Sequence, residues 1–455
     1  MPTLLHIGAP KTGTTAVQAS LEDLKHRTEG GLEAYGLSMP GTPLEQARAA
    51  LGVLGQGVGW QAADRPKSDK HWPRLLAQVQ AAQGLRFVSS EYLCEASEPI
   101  AGKIVEDLAT LDGPEGPRDD VHVVLTLRPL TRIMPSAWQQ YLKSGHQLPY
   151  EQWCRAMLAS PPKKGVTPSF WRRHDQAAVL RRWAAAVGPA NITTVVLDPA
   201  DRGLLMRTFD DLLNLPAGTL TGVAGGRQNR SMSAAESELF RRLNVQLRDR
   251  DFPWKEYANL IRYGSILRTV ELMPSEGGAA VHTPDWAVER AVELAGSYRE
   301  TIDELAAAGM TVIGKPDLLT EAYAGAPHDL PAPDVVPVDT AVEAILGVVS
   351  RAGTGNAFFP DEVERGIGEQ EGLPGSARTP KEITRIEDLS AREISEVLAG
   401  RVRKGVRRRY RSQRRRLVRI ARRGHLTPQQ KVDALEPLDD DPRAAAASDS
   451  PDQFG

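Results

Sequence analysis

Cysteine is scarce: 455 residues hold two, Cys94 and Cys154. Neither stands in a metal-binding or redox spacing, so the fold does not rest on disulfides and a reducing compartment is expected. Aromatic residues make up 5% of the chain, which gives no signal of a large hydrophobic ligand pocket. No apolar run approaches the ~18 residues that a membrane span needs. The first residues enter a strand pattern with no basic and apolar leader before it, so a cytoplasmic protein is expected. No His, Cys and carboxylate cluster has metal-ligand spacing, and no metal is expected. Neither charge sign dominates, since the net charge is −2. The charge is nevertheless uneven: residues 401–423 carry 13 Arg and Lys and no acid, so −2 in total leaves −15 elsewhere. At 41% hydrophobic and 25% charged residues, the rest has the composition of a soluble globular chain.

Against these absences the first fifteen residues carry a strong signal. An apolar run, Leu4-Leu5-His6-Ile7, ends in Gly8-Ala9-Pro10-Lys11-Thr12-Gly13-Thr14-Thr15, and a helical pattern follows from Ala16 to Leu24. A Gly-rich turn between strand and helix lets backbone N–H groups converge. The helix N-terminus adds partial positive charge, and hydroxyls with an ammonium complete a cradle for phosphate or sulfate. The NTPase form of that loop places Lys directly after the second Gly. Here Thr14 occupies that position and the Lys lies inside the loop, at position 11.

A second segment supports the first. Val121 to Leu127 reads as a buried strand. Arg128 follows it, Pro129 stops it, and a helical pattern runs to about Tyr141. Pro135 suits a first helical position, which would put Ser136 in the first turn. Arg offers a planar fork of donors to a phosphate and Ser a neutral one.

The form PKTGTT, followed by a strand ending in Arg128 and a Ser eight residues on, resembles the sulfotransferases that use 3′-phosphoadenylyl sulfate (PAPS). By that resemblance Lys11, Thr12, Gly13, Thr14 and Thr15 would wrap the 5′-phosphosulfate, with Lys11 on the bridging oxygen. Arg128 and Ser136 would grip the 3′-phosphate. Arg86-Phe87-Val88-Ser89-Ser90-Glu91 resembles the second strand of the bacterial and carbohydrate-sulfating branch. The helix with Arg181-Arg182-Trp183, the strand Ile192 to Leu197, the basic loop Arg227 to Ser231, and the helix and strand Trp286 to Gly314 resemble later parts of the family, so the likeness spans roughly residues 1 to 320. The fold implied is α/β: three layers, a mostly parallel sheet with a P-loop-like phosphosulfate loop, and a C-terminal helical extension. The activity implied is transfer of a sulfonate from PAPS to a hydroxyl or amine, with a carbohydrate or glycolipid acceptor favoured. Lys11 and Glu91 are the catalytic candidates, Glu91 as base, with His146, His174 and His71 as rivals and His6 as a core residue. A P-loop kinase or NTPase and a non-catalytic nucleotide-binding adaptor are the alternatives.

Composition divides the chain further. Residues 1–325 read as the catalytic domain and 326–380 as a Pro/Gly-rich linker with a short helix over Asp339 to Ala352. Residues 381–430 read as a basic amphipathic helix with Ser390 and Glu393 as a capping box, and 431–455 as a disordered acidic tail. The stretches 26–70 and 146–172 read as surface insertions over the site. The basic run 401–423 is expected to meet an anionic membrane surface rather than a specific nucleic acid.

Overall fold

The computed structural model describes residues 2–57, 70–109, 120–160, 162–163, 165–220, 230–272, 279–281, 283–323 and 335–354. The elements, as far as Val348, belong to one compact unit. In chain order they are β1 (Thr3–His6), α1 (Thr14–Arg27), β2 (Leu37–Ser38), α2 (Pro43–Val53), α3 (His71–Ala81), β3 (Leu85–Ser89) and α4 (Glu98–Ala109). Next come β4 (Val121–Leu127), α5 (Leu130–Leu142), α6 (Tyr150–Met157), α7 (Ser169–His174), α8 (Gln176–Val187), β5 (Ile192–Val196) and α9 (Leu204–Leu212). They close with α10 (Ala234–Arg248), α11 (Trp254–Tyr257), π-helical turns (Ala258–Ile266), α12 (Leu267–Leu272), α13 (Asp285–Ala307), β6 (Thr311–Ile313) and α14 (Val338–Thr354).

The strands form a parallel six-stranded sheet among the described residues, in the order β2-β3-β1-β4-β5-β6. Successive side chains of a strand point to opposite faces, so each face needs its own cover. Leu5, Val123 and Leu125 pack with Trp72, Leu75 and Val79 of α3, Ile104 of α4 and Leu180 and Trp183 of α8. Leu4, Val124 and Val195 pack on the other side with Val17, Leu21 and Leu24 of α1 and Phe209 of α9. These are the expected three layers. Each fully buried aliphatic side chain here contributes ~1.5–3 kcal/mol. His6 is a core residue as expected: it is fully buried, its Nδ1 lies 2.9 Å from Ser89 Oγ, and burial pushes it down to about 3.

A second, all-helical core lies beside the sheet. Ile133, Met134 and Trp138 of α5, Trp153 of α6, Phe170 of α7, Phe240 of α10 and Tyr257 of α11 pack in it, with Ala344 of α14. Residues 146–172 are therefore not a surface insertion. Trp153 and Phe170 are fully buried, and Trp153 Nε1 donates to Thr167 Oγ1 at 3.0 Å.

Pro135 does not open a helix either. It sits inside α5, which begins at Leu130, so Ser136 lies in the second turn. A proline there removes the N–H that would bond the carbonyl four residues back. That carbonyl, Thr131 O, accepts instead from Thr283 Oγ1 at 3.0 Å, which leaves no orphan acceptor. The helix expected over Asp339 to Ala352 is present as α14. Residues 381–430, with the basic run 401–423, the tail 431–455 and Arg227–Asn229 of the basic loop lie outside the described residues.

Candidate active site

Three neighbouring strands deliver the site. In open α/β sheets ligands bind beyond the carboxyl ends of strands, where the order of connections reverses. Here β1 is flanked by β3 and β4, and the chain passes from one side of β1 to the other between them. Lys11 follows β1, Glu91 follows β3 and Arg128 follows β4.

The loop after β1 is shaped by backbone requirements. Gly8 has φ +90°, and a Cβ on it would lie 3.0 Å from Glu91 Cα. Glycine at this position lets the β3 end approach the loop. Gly13, φ +98°, forms the N-cap of α1 with no side-chain cap, so the first N–H groups of the helix are left for another acceptor. Between the two glycines Lys11 itself is left-handed, φ 69°. That conformation costs a non-glycine residue ~1–2 kcal/mol and concentrates at functional sites. The loop is tied down by Thr12, whose Oγ1 donates to Ala9 O at 2.5 Å and contacts Thr126 Oγ1 of β4. Thr126 Oγ1 donates to Gly8 O at 2.9 Å. Thr12 is thus a loop anchor with its hydroxyl already engaged. Thr14 Oγ1 is buried without a hydrogen-bond partner among the described residues, which fits a hydroxyl that meets a bound group. Thr15 is exposed on the first turn of α1.

Arg128 joins the loop directly: its Nη1 donates to Lys11 O at 3.2 Å. Burial lowers its pKa, as does Arg132, one turn into α5, with Tyr323 opposing. The Arg132 guanidinium lies 3.8 Å from the Tyr323 ring centroid. Ser136 is half-buried and its hydroxyl donates to Ile133 O at 2.9 Å. Among the described residues no hydrogen bond joins Ser136 to Arg128.

Glu91 opens a short 3-10 turn, Glu91–Glu95, immediately beyond β3. That turn is held from its other end. The fully buried Glu95 carboxylate takes Arg173 at 2.5 Å and Arg172 at 3.1 Å. The Lys11 amine has its pKa lowered first by burial, then by Arg262 and Arg128, with Glu91 the opposing carboxylate. The structure therefore brings Lys11, Glu91 and Arg128 into one electrostatic neighbourhood.

The histidine rivals lie elsewhere or are shut off. His71 stands at the start of α3; burial lowers its pKa, as do Arg48, Lys70 and Arg74, with Glu45 opposing. His146 is pushed down to about 4 by burial alone. His174 is 2% exposed, packed against Phe170, and pushed down to about 3 by burial, Arg173 and Lys11. Arg230, from the expected basic loop, is held bidentately by Glu236 at 2.7 and 2.8 Å.

Two cations that no sequence motif signals complete the neighbourhood. Lys143 follows the last turn of α5, and Arg262 lies in the π-helical turns; its Nη1 reaches Ser144 Oγ at 3.5 Å. A lysine before Ser144-Gly145 looks like an ordinary solvated helix end, and an arginine in a helical pattern looks like a surface residue.

Among the described residues no group of three or more His, Cys, Asp or Glu is placed to hold a metal, and no helix is long and apolar enough to cross a membrane. No family model and no curated protein matches the chain. Among solved structures, a sulfotransferase from Alicyclobacillus acidocaldarius is similar at 14% identity, over 55% of this chain and 96% of that one, with a TM-score of 0.34. A likeness that distant leaves the chemistry to be read from this chain's own residues.

Proposed function

We propose that the protein moves a sulfonate group from PAPS to a hydroxyl of an acceptor, with a carbohydrate or glycolipid favoured. The observation that carries this reading is the left-handed Lys11 between Gly8 and Gly13, three residues before an α1 without a side-chain cap and bonded through its carbonyl to Arg128. A loop of that shape presents an ammonium and open N–H groups to one tetrahedral anion. The Arg128 guanidinium, bonded to that loop, is the donor suited to a second phosphate of the same molecule. The buried, unpartnered Thr14 hydroxyl fits the same anion.

Bound PAPS would supply a sulfonate on a phosphate leaving group. The S–O bond to phosphate breaks as one to the acceptor oxygen forms. Lys11, with the loop N–H groups and Thr14, binds the leaving oxygen and its charge. Arg128, with Arg132 beside it, holds the 3′-phosphate, and Ser136 adds a neutral donor from α5. Glu91 takes the acceptor proton, and Gly8 lets it stand close to the loop. The sulfotransferase resemblance of the loop and of the Arg128/Ser136 spacing supports the same assignment.

Incubation of the full chain with PAPS and a panel of hydroxyl acceptors, read as release of 3′,5′-adenosine bisphosphate (PAP), tests the reading. Acceptor-dependent release is expected. PAP binding without turnover on any acceptor class would favour the non-catalytic adaptor. Hydrolysis of ATP with Mg²⁺ and indifference to PAPS would favour the NTPase.

A further inference from the structure

Long cationic side chains grip a phosphate well only when the backbone that carries them is fixed. At the start of α5 that backbone is held from outside the helix, by two buried side chains. Gln176, the first residue of α8, donates from Nε2 to Arg128 O at 2.7 Å, which fixes the peptide after Arg128. Thr283, just before α13, donates from Oγ1 to Thr131 O at 3.0 Å, which fixes the peptide from which Arg132 springs. Gln176 is 1% exposed and Thr283 4%.

Pro135 makes room for the second bond. A regular α-helix would give Thr131 O the N–H of residue 135, but proline has none, and its ring pushes that carbonyl aside. Thr283 has one proton to give, and Thr131 O receives it. In its other contact, with the Tyr150 hydroxyl of α6 at 3.0 Å, Thr283 is therefore the acceptor. A relay runs from Tyr150 O–H through Thr283 O–H to the Thr131 carbonyl and ties the first turn of α5 to α6 and to the approach to α13. Hydroxyls bonded in series strengthen one another. The residue next along the held peptide is Arg132, four positions after Arg128. Its guanidinium lies 3.8 Å from the Tyr323 ring centroid, and its Nε is buried without a hydrogen-bond partner among the described residues. A phosphate oxygen would satisfy that open donor.

We propose that Thr283 is a positioning residue for the 3′-phosphate of the nucleotide: through Thr131 O it sets Arg132, so that Arg132 and Arg128 meet one phosphate together. Pro135, by leaving that carbonyl open, transfers control of the turn from α5 itself to the helical core. The assignment to the 3′-phosphate rests on the PAPS reading above; the clamp on the turn does not.

Calorimetric titration of the full chain with PAP, well below its melting temperature, tests the proposal together with a thermal melt of each variant. Thr283→Val, which keeps the shape and removes the hydroxyl, should weaken PAP binding about 5-fold and lower the melting temperature by several degrees. Thr283→Ser should keep the parent's affinity. Pro135→Ala returns an N–H to Thr131 O, so adding Thr283→Val to Pro135→Ala should change PAP affinity by less than about 2-fold. Arg132→Gln should bind PAP at least ~10-fold more weakly, and Thr283→Val should add no further loss to it, because the hydroxyl acts through Arg132. A Thr283→Val chain that melts lower but binds PAP like the parent would make the hydroxyl structural and overturn the proposal. Equal losses from Thr283→Val in the parent and in Arg132→Gln would overturn the link to Arg132, and a loss that Pro135→Ala leaves unrepaired would overturn the clamp. No PAP binding by the parent would overturn the donor reading and the 3′-phosphate assignment together. Melting temperatures then judge the clamp alone: it stands if Thr283→Val lowers the melting temperature in the parent but not in Pro135→Ala, and it is overturned if both fall alike.

Discussion

At the scale of single residues the account separates holding from chemistry. Arg128→Ala removes a charge-assisted contact worth roughly 1.5–3 kcal/mol and should raise the PAP dissociation constant at least ~10-fold. Ser136→Ala should cost less, since its hydroxyl is neutral and already donates to Ile133 O. Lys11→Ala should abolish transfer. Glu91→Gln should leave PAP binding intact and lower turnover ~10²–10⁴-fold, measured as acceptor-dependent PAP release. Lys143 adds a pH dependence. Burial, with Lys11, Arg262 and Arg230 around it, holds its amine down to about 7. The unfolded chain keeps an ordinary lysine value near ~10.4, so between the two it binds more protons than the folded chain. The penalty from this group is full below about 7 and fades as pH rises toward 10, which makes the native chain gain stability relative to Lys143→Gln over that window. The residues proposed to hold phosphate could be named from the sequence because the loop glycines, Lys11 and Arg128 stand in a sequence-local pattern. Lys143 and Arg262 could not, because nothing local in the sequence marks a lysine at a helix end or an arginine in a helical pattern.

At the scale of elements the backbone approaches are the sensitive points. Gly8 sits at φ +90° with Glu91 Cα 3.0 Å from any added Cβ. Gly8→Ala should therefore destabilise by about 1–3 kcal/mol and impair PAP binding and turnover together, since it pushes the turn that carries Glu91 off the loop. A Cβ on Gly347 of α14 would lie 2.5 Å from Gly264 O in the π-helical turns, where only backbone is available to move. Gly347→Ala should lower the melting temperature by several degrees, with PAP affinity unchanged. Strand periodicity located the sheet well: Val121 to Leu127 is reproduced residue for residue, β1 and β5 each end one position earlier than expected, and β3 is shifted by one position at both ends. β2, a two-residue edge strand, is too short to carry a pattern. Pro135 misled because the hydroxyl that replaces its missing N–H, Thr283, is 152 residues away. The 146–172 stretch misled because its Pro/Gly-rich middle, Pro161 to Gly165, hides the buried Trp153 and Phe170 on either side.

At the scale of the whole molecule, the order β2-β3-β1-β4-β5-β6 puts three strand ends of very different sequence position on one edge. Alternation of strand and helix patterns implied the parallel sheet but not the helical core beside it. α14 belongs to that core: Ala344 is buried in it, Ser265 Oγ donates to Ala344 O at 2.7 Å, and Arg268 pairs with Glu343 at 2.6 Å. A chain ending after Gly325 should therefore melt at a lower temperature than one ending after Thr354, and the longer truncation should retain the parent's PAP affinity. The most direct measurement is calorimetric titration of the full chain with PAP in the absence of Mg²⁺, in parallel with ATP and Mg²⁺. The account predicts saturable one-to-one PAP binding that Arg128→Ala weakens at least ~10-fold. Binding of ATP with Mg²⁺ and none of PAP would contradict it.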